Sequence, residues 1–245
     1  MLTPRLKAVA DFVPLNVRLA DIGTDHANLP IFLMNLHKIT AAIAVDVREG
    51  PFSTAQSAVT QHNLTRQIEV RLGSGLSVIH PNEVDIAVFA GMGGTLITNL
   101  LKASSATVAS LHGLILQPQL AAEKLRRYIY EIGWHIEAET LAKEQHHIYQ
   151  IIYAIPGRRE MPDRVSLEIG PMLLRERPPL FSLHLDVLLH RNKKIAAELA
   201  NSQLPKNKLA RRNLLTLIND LELNKYDKMP GYNGCNGKNS SSHIS

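Results

Sequence analysis

Residues 17–26 read Val17-Arg18-Leu19-Ala20-Asp21-Ile22-Gly23-Thr24-Asp25-His26. The segment 17–23 has the composition of a short buried strand closed by a glycine, and residues 28–37 then take a helical pattern. A strand that enters a glycine turn and leaves as a helix is a ligand-binding device. Glycine lets backbone approach a ligand closely, and the first N–H groups of the helix attract negative charge. Outward from this point the same alternation repeats. Apolar runs at 41–46, 68–73, 85–90 and 112–117 predict further strands, with helices predicted from Pro51 to about His62, from Gly94 to about Lys102 and over 121–132. Alternating strands and helices predict an α/β fold, a mostly parallel sheet covered on both faces, with ligands beyond the carboxyl ends of the strands. Two final strands, 134–142 and 148–155, have no helix between them and predict an antiparallel edge.

The remainder of the chain differs in character. Residues 156–179 are rich in proline and glycine and read as a connector. Residues 180–202 and 209–223 are helical in pattern, broken at Leu204-Pro205. Leu185, Leu188, Leu189, Ile195 and Leu199 can face Leu214, Leu217, Ile218 and Leu221 across an antiparallel hairpin. Residues 224–245, rich in Asn, Gly, Ser and Lys, predict a disordered tail. The expected organisation is therefore a nucleotide-binding domain over 1–155, a connector and helical hairpin over 156–223, and a tail. The 245 residues carry a net charge of +5. Segment 1–155 holds 12 Lys+Arg against 13 Asp+Glu, whereas 156–245 holds 15 against 9. The basic character thus belongs to the C-terminal part, which favours an anionic partner there. Arg191, Lys193, Lys194, Lys206, Lys208, Arg211 and Arg212 are the candidate phosphate contacts. A solvated helix surface is the competing reading of the same residues. Cys235 is the sole cysteine, so no intrachain disulfide or cysteine-based metal site can form. No apolar run reaches the ~18–20 residues of a membrane span, and residues 1–14 lack a signal-peptide pattern.

The candidate site residues lie at the strand ends. Asp25 stands where a dinucleotide fingerprint would place its second glycine. Two carboxylates, Asp21 and Asp25, would repel a pyrophosphate but would accept the ammonium group of an amino-acid tail. This favours S-adenosylmethionine over a nicotinamide dinucleotide, although Asp25 also suits a helix cap. Asp46 ends the second strand, where an acid accepts hydrogen bonds from ribose hydroxyls. Glu49 is its alternate. Gly73-Ser74-Gly75 follows the third strand at a position suited to an adenine contact. Ala90-Gly91-Met92-Gly93-Gly94 follows the fourth, and three glycines in four positions are costly in entropy unless backbone must come close to something flat. His146-His147 is expected on a strand with its two rings on opposite faces, unable to chelate one metal together.

These strings, together with Leu2-Thr3-Pro4-Arg5-Leu6, Glu49-Gly50-Pro51, Leu116-Gln117-Pro118 and Gly133-Trp134, resemble the bacterial tRNA (adenine-22-N1)-methyltransferases over about residues 2–221. The resemblance implies a Rossmann-like class I methyltransferase sheet, S-adenosyl-L-methionine as cofactor, tRNA as substrate and a C-terminal hairpin of coiled-coil type. By position it places Asp21, Gly23, Asp25 and His26 in the cofactor loop and Asp46 at the ribose. Gly91 and Met92 fall where other base N-methyltransferases carry an Asn-Pro-Pro-Tyr-like loop. His26, Asn28, Gly93 and Gly94 are the candidates for the base pocket. The chain departs from the family's usual pattern at Ser74, where Asp is usual, at Asn28, where an aromatic is usual, and at Asp46, where Glu is usual. Adenine N1 keeps a free lone pair, so the implied reaction needs no general base, and the base must leave its pairing partner to react. The expected protein is a cytoplasmic monomer without metal or membrane partner. A small-molecule methyltransferase and a non-catalytic RNA-binding protein remain as alternatives, as does, more remotely, a nicotinamide oxidoreductase.

Overall fold

The computed structural model describes residues 2–200 and 202–226. Five parallel strands, β1 (Val17–Ile22), β2 (Ile39–Asp46), β3 (Ile68–Leu72), β4 (Ile86–Met92) and β5 (Gly113–Pro118), are followed by β6 (Trp134–Glu144) and β7 (His147–Pro156). They form one seven-stranded sheet in the order β3-β2-β1-β4-β5-β7-β6. β7 runs antiparallel to both β5 and β6, so the antiparallel edge expected from the sequence is present. The helices are α1 (Pro4–Phe12), α2 (Asn28–Asn35), α3 (Glu49–Gln61), α4 (Gly94–Ala103), α5 (Ser105–Ala109), α6 (Ala122–Glu131), α7 (Arg164–Ile169), α8 (Pro171–Glu176), α9 (Phe181–Ala200) and α10 (Pro205–Tyr226).

The period of two along each strand sends alternate side chains to opposite faces. On β1, Leu19 joins a core with Val9, Leu33, Ala55 and Val59 from α1, α2 and α3. Its neighbours Ala20 and Ile22 join the opposite core, with Ile97, Leu101, Leu125 and Ile129 from α4 and α6. The sheet is thus buried on both faces, which is why its parallel strands read as continuous apolar runs. The strand order reverses at β1, which pairs with β2 on one side and β4 on the other. The crevice beyond the carboxyl ends at that reversal is where such folds bind ligands.

Three features depart from the sequence reading. α1 was not anticipated: Thr3 caps it by accepting from Leu6 N at 3.4 Å, Pro4 fits its first turn, and it buries Val9 and Ala10. The connector is not irregular throughout. Asp163 caps α7 by accepting from Ser166 N at 2.8 Å, and Pro171 opens α8 after Gly170 at φ +113°. α10 begins at Pro205 rather than 209, because proline suits the first position of a helix as well as it breaks the preceding one. His146-His147 also falls differently: His146 lies in the β6–β7 turn and His147 starts β7.

By compactness the chain divides into two units, one up to His184 and one from Leu185 onward. In the second, Leu185, Leu188 and Leu189 of α9 and Leu217, Ile218 and Leu221 of α10 are buried. Ile195, expected in that seam, is 40% exposed, and Ala196 is buried in its place. Residues 224–226 continue α10, and the rest of the expected tail, 227–245, lies outside the described residues. Among the described residues no helix is long and apolar enough to cross a membrane.

Candidate active site

The glycine turn ties the ends of β1 and β2 together. Gly23 N and Thr24 N both donate to Val45 O, at 2.8 and 3.0 Å. Gly23 has φ +76°, and a Cβ there would lie 2.1 Å from Met92 Cε. The turn needs glycine for its backbone angle, whereas the Met92 methyl, at the end of a flexible side chain, could move aside. α2 has no side-chain cap; Thr24 Oγ1 accepts from the N–H of Ala27, the residue before the helix, at 3.1 Å. Asp25, a possible cap in the sequence, instead has a side chain 72% exposed and sits 3.3 Å from His26 Nε2.

Asp21 and Asp46 end β1 and β2 and are both buried. Burial raises the Asp21 carboxyl to about 6, with a Thr24 hydrogen bond opposing the shift and the charge of Asp46 adding to it. No basic side chain pairs with Asp21 among the described residues. Asp46 Oδ1 accepts from Arg48 N at 2.9 Å, which leaves Oδ2 for a ligand. Gly73 N donates to Asp46 O at 2.9 Å and so places the exposed Ser74 beside it.

A cleft of about 260 Å³ lies between these ends, and Gly23, Asp46, Ser74, Gly91 and Met92 all line it. Five predicted cofactor residues are therefore brought together from four strand ends. Asp21 lies beneath the turn and is not part of the lining. The cleft also has apolar walls that the sequence did not reveal, because apolar residues read as core: Val47 and Leu96 line it while being 64% and 51% exposed. His26 and Asn28 line a second cleft, of about 320 Å³, with Leu2, Phe32, Asn35 and His62.

The two glycines predicted for the base pocket differ. A Cβ on Gly93 would meet nothing within 4 Å, whereas one on Gly94 would lie 2.5 Å from Ala121 O. Gly94 is thus a packing position, with its N–H donating to Leu120 O at 2.7 Å, and Gly93 faces open space. In the second unit, Lys208, Arg211 and Arg212 line a groove of about 570 Å³ near the start of α10. Arg191, Lys193 and Lys194 sit further back on α9, and Lys193 pairs with Glu222 rather than joining that groove. Lys206 is exposed.

A glycine turn after β1, an acid closing β2 and a sheet that ends in an antiparallel pair define the class: a Rossmann-like, S-adenosylmethionine-dependent methyltransferase. Comparison with known proteins narrows this to a family. The model of the tRNA (adenine(22)-N(1))-methyltransferases, TrmK, matches residues 19–220, and the chain belongs to that family. It is 36% identical to the tRNA (adenine(22)-N(1))-methyltransferase of Bacillus subtilis over 185 residues, 74% of this chain and 78% of that one. The crystal structure of the B. subtilis m1A22 tRNA methyltransferase TrmK superposes with a TM-score of 0.84 at 30% identity, covering 92% of this chain and 99% of that one. Streptococcus pneumoniae Sp1610 in complex with S-adenosyl-L-methionine gives a TM-score of 0.79 at 32% identity, over 92% of this chain and all of the other (100%).

Proposed function

We propose that the cleft at the β1/β4 reversal holds S-adenosylmethionine, and that the chain uses it to methylate N1 of adenine 22 in tRNA. The observation that carries this reading is the convergence of Gly23, Asp46, Ser74, Gly91 and Met92 on one cleft in a chain of this family. The residues fit the cofactor chemically. Asp21, outside the lining and without a basic partner among the described residues, is suited to act on an ammonium group in the cleft through its charge rather than by direct contact. Asp46 has an oxygen for ribose hydroxyls, and Val47 and Leu96 offer apolar walls to a flat ring.

S-adenosylmethionine supplies an electrophilic methyl group on a sulfonium, which a lone pair such as that of adenine N1 can take without a general base. The work of the chain is then to position and to exclude. Gly23 and Met92, in close approach, both line the proposed cofactor cleft. Gly93 leaves room on that loop for a base, and His26 and Asn28 are proposed to border the base from the neighbouring cleft. Ser74 replaces the usual carboxylate with a hydroxyl, which still donates and accepts.

Lys208, Arg211 and Arg212, with Arg191, Lys193, Lys194 and Lys206, are proposed to contact tRNA phosphates. The substrate points to the cytoplasm, and action as a monomer is proposed with it. The deciding experiment is mass spectrometry of tRNA nucleosides after incubation with purified protein and methyl-labelled cofactor. Labelled 1-methyladenosine is expected. Label in another nucleoside, or none, rejects the assignment.

A further inference from the structure

Two strings singled out in the sequence, residues 2–6 and 116–118, take no part in the cofactor cleft, and the structure joins them. Gln117 is fully buried at the carboxyl end of β5. Its Oε1 accepts from Arg5 Nη1 at 2.8 Å and from Gly91 N at 3.0 Å. Both partners are donors, which fixes the orientation of the amide. Nε2 is left buried and without a hydrogen-bond partner among the described residues. A buried donor left unpaired is a cost, and what is kept in exchange is the carbonyl that holds Arg5 against the Gly91 turn.

Arg5 is pinned a second time by the Tyr149 ring, whose centroid lies 5.5 Å from the guanidinium carbon. The guanidinium also lies close to the loop after β4: Nη1 is 3.5 Å from the position of a Cβ on Gly91. No carboxylate neutralises it among the described residues. Glu144, the nearest acid in this network, accepts from the backbone N of Arg5 at 3.3 Å instead. α1 therefore begins beside both openings, with Leu2 lining the cleft of His26 and Asn28 and Arg5 at the Gly91 turn.

We propose that Arg5 is an RNA-contacting residue of the active site, binding a phosphodiester beside the target adenine, and that Gln117 is the residue that positions it. The choice of phosphate over base follows from charge. Methylation at N1 leaves the base cationic, so a guanidinium against that edge would oppose the reaction, whereas one on the flanking phosphate would not. A planar, permanently charged fork held on one side by an amide leaves its remaining N–H groups aligned for two oxygens of a phosphate. This inference rests on the reading of the chain as a tRNA methyltransferase.

The test uses the full chain and unmodified tRNA. It compares wild type with Arg5→Gln, Arg5→Lys and Gln117→Glu in three measurements. These are KM and kcat for tRNA, the salt dependence of tRNA binding, and cofactor affinity by calorimetry. Arg5→Gln should raise KM for tRNA by on the order of tenfold and make the slope of log affinity against log salt shallower by about one. Cofactor affinity should stay at the wild-type value. Arg5→Lys keeps the charge and should keep the slope. Gln117→Glu keeps Arg5 but neutralises it, and should reproduce the slope of Arg5→Gln, which a purely structural role for Gln117 would not do. Wild-type KM and slope in Arg5→Gln overturn the proposal, as does a matching loss of cofactor affinity. If wild type itself methylates no tRNA, the functional reading fails and the proposal fails with it. Wild-type methylation with an indifferent Arg5→Gln rejects the proposal alone.

Discussion

Burial at the end of β1 raises the Asp21 carboxyl to about 6. A carboxyl whose native pKa lies above its unfolded value binds its proton more tightly in the native state. Its burial therefore costs stability at pH values above 6, and that cost fades as pH falls towards 4. Ligand binding has the opposite sense, because an ammonium group prefers the ionised form. Cofactor affinity should thus be level at pH 7–8 and weaken below about 6, by up to about tenfold per pH unit. In Asp21→Asn it should be weak and independent of pH. Calorimetric titration from pH 5 to 8 checks this, and a level wild-type profile would remove Asp21 from the ammonium site. The glycines of the β4 loop give a second comparison. Gly93→Val should fold with the wild-type melting temperature and lose tRNA methylation, since its side chain enters open space. Gly94→Ala should lower the melting temperature, since its Cβ would lie 2.5 Å from a backbone oxygen. The sequence made the need for bare backbone legible here, but not which glycine served a ligand and which served packing. That distinction depends on what stands opposite each Cα, and Ala121 is far away in the chain.

At the scale of elements, the strands were legible because burial on both faces writes an apolar run directly into the sequence. The short helices were not. α1 buries only Val9 and Ala10, and α7 and α8 span six residues each within a proline- and glycine-rich stretch. What holds α7 and α8 in place is an ion pair that no periodicity could announce. Arg126 of α6 meets Glu139 of β6 at 2.8 Å, with both side chains fully buried (0% exposed). Arg126 Nη1 also donates to Leu167 O at 2.9 Å, and Glu139 Oε2 accepts from Met172 N at 2.9 Å. One buried pair thereby fastens α7 and α8 to α6 and β6. Removing one partner leaves a buried charge uncompensated, a loss of about 3–5 kcal/mol. Arg126→Met should accordingly shift the urea midpoint strongly. Arg126→Met combined with Glu139→Leu should recover part of that loss, and an equal or greater loss in the double variant would contradict the account.

Across the whole molecule, we propose that the two compact units divide cofactor binding from tRNA binding. The proposed cofactor cleft lies in the unit up to His184, and the basic groove in the unit from Leu185 onward. Charge reversal at the exposed Lys208 and Arg212 should lower the salt slope of tRNA binding by about two while cofactor affinity is unchanged. Arg211 is left alone in this test because its Nε donates to Ala196 O at 3.3 Å across the hairpin. The ends of the sheet carry a further consequence. β3 is short, five residues, and Arg71 bridges Glu69 and Glu83 beside it, which makes it a poor template for another strand. β6 runs for eleven residues, and α8 packs against it. A chain cut after residue 155 would lose Leu167 O from Arg126 and Met172 N from Glu139, and would uncover the part of the long outer strand that α8 covers. Such a fragment should self-associate, whereas one ending at His184 should stay monodisperse in light scattering. The helices that read as a mere connector would then be what keeps the catalytic half from aggregating.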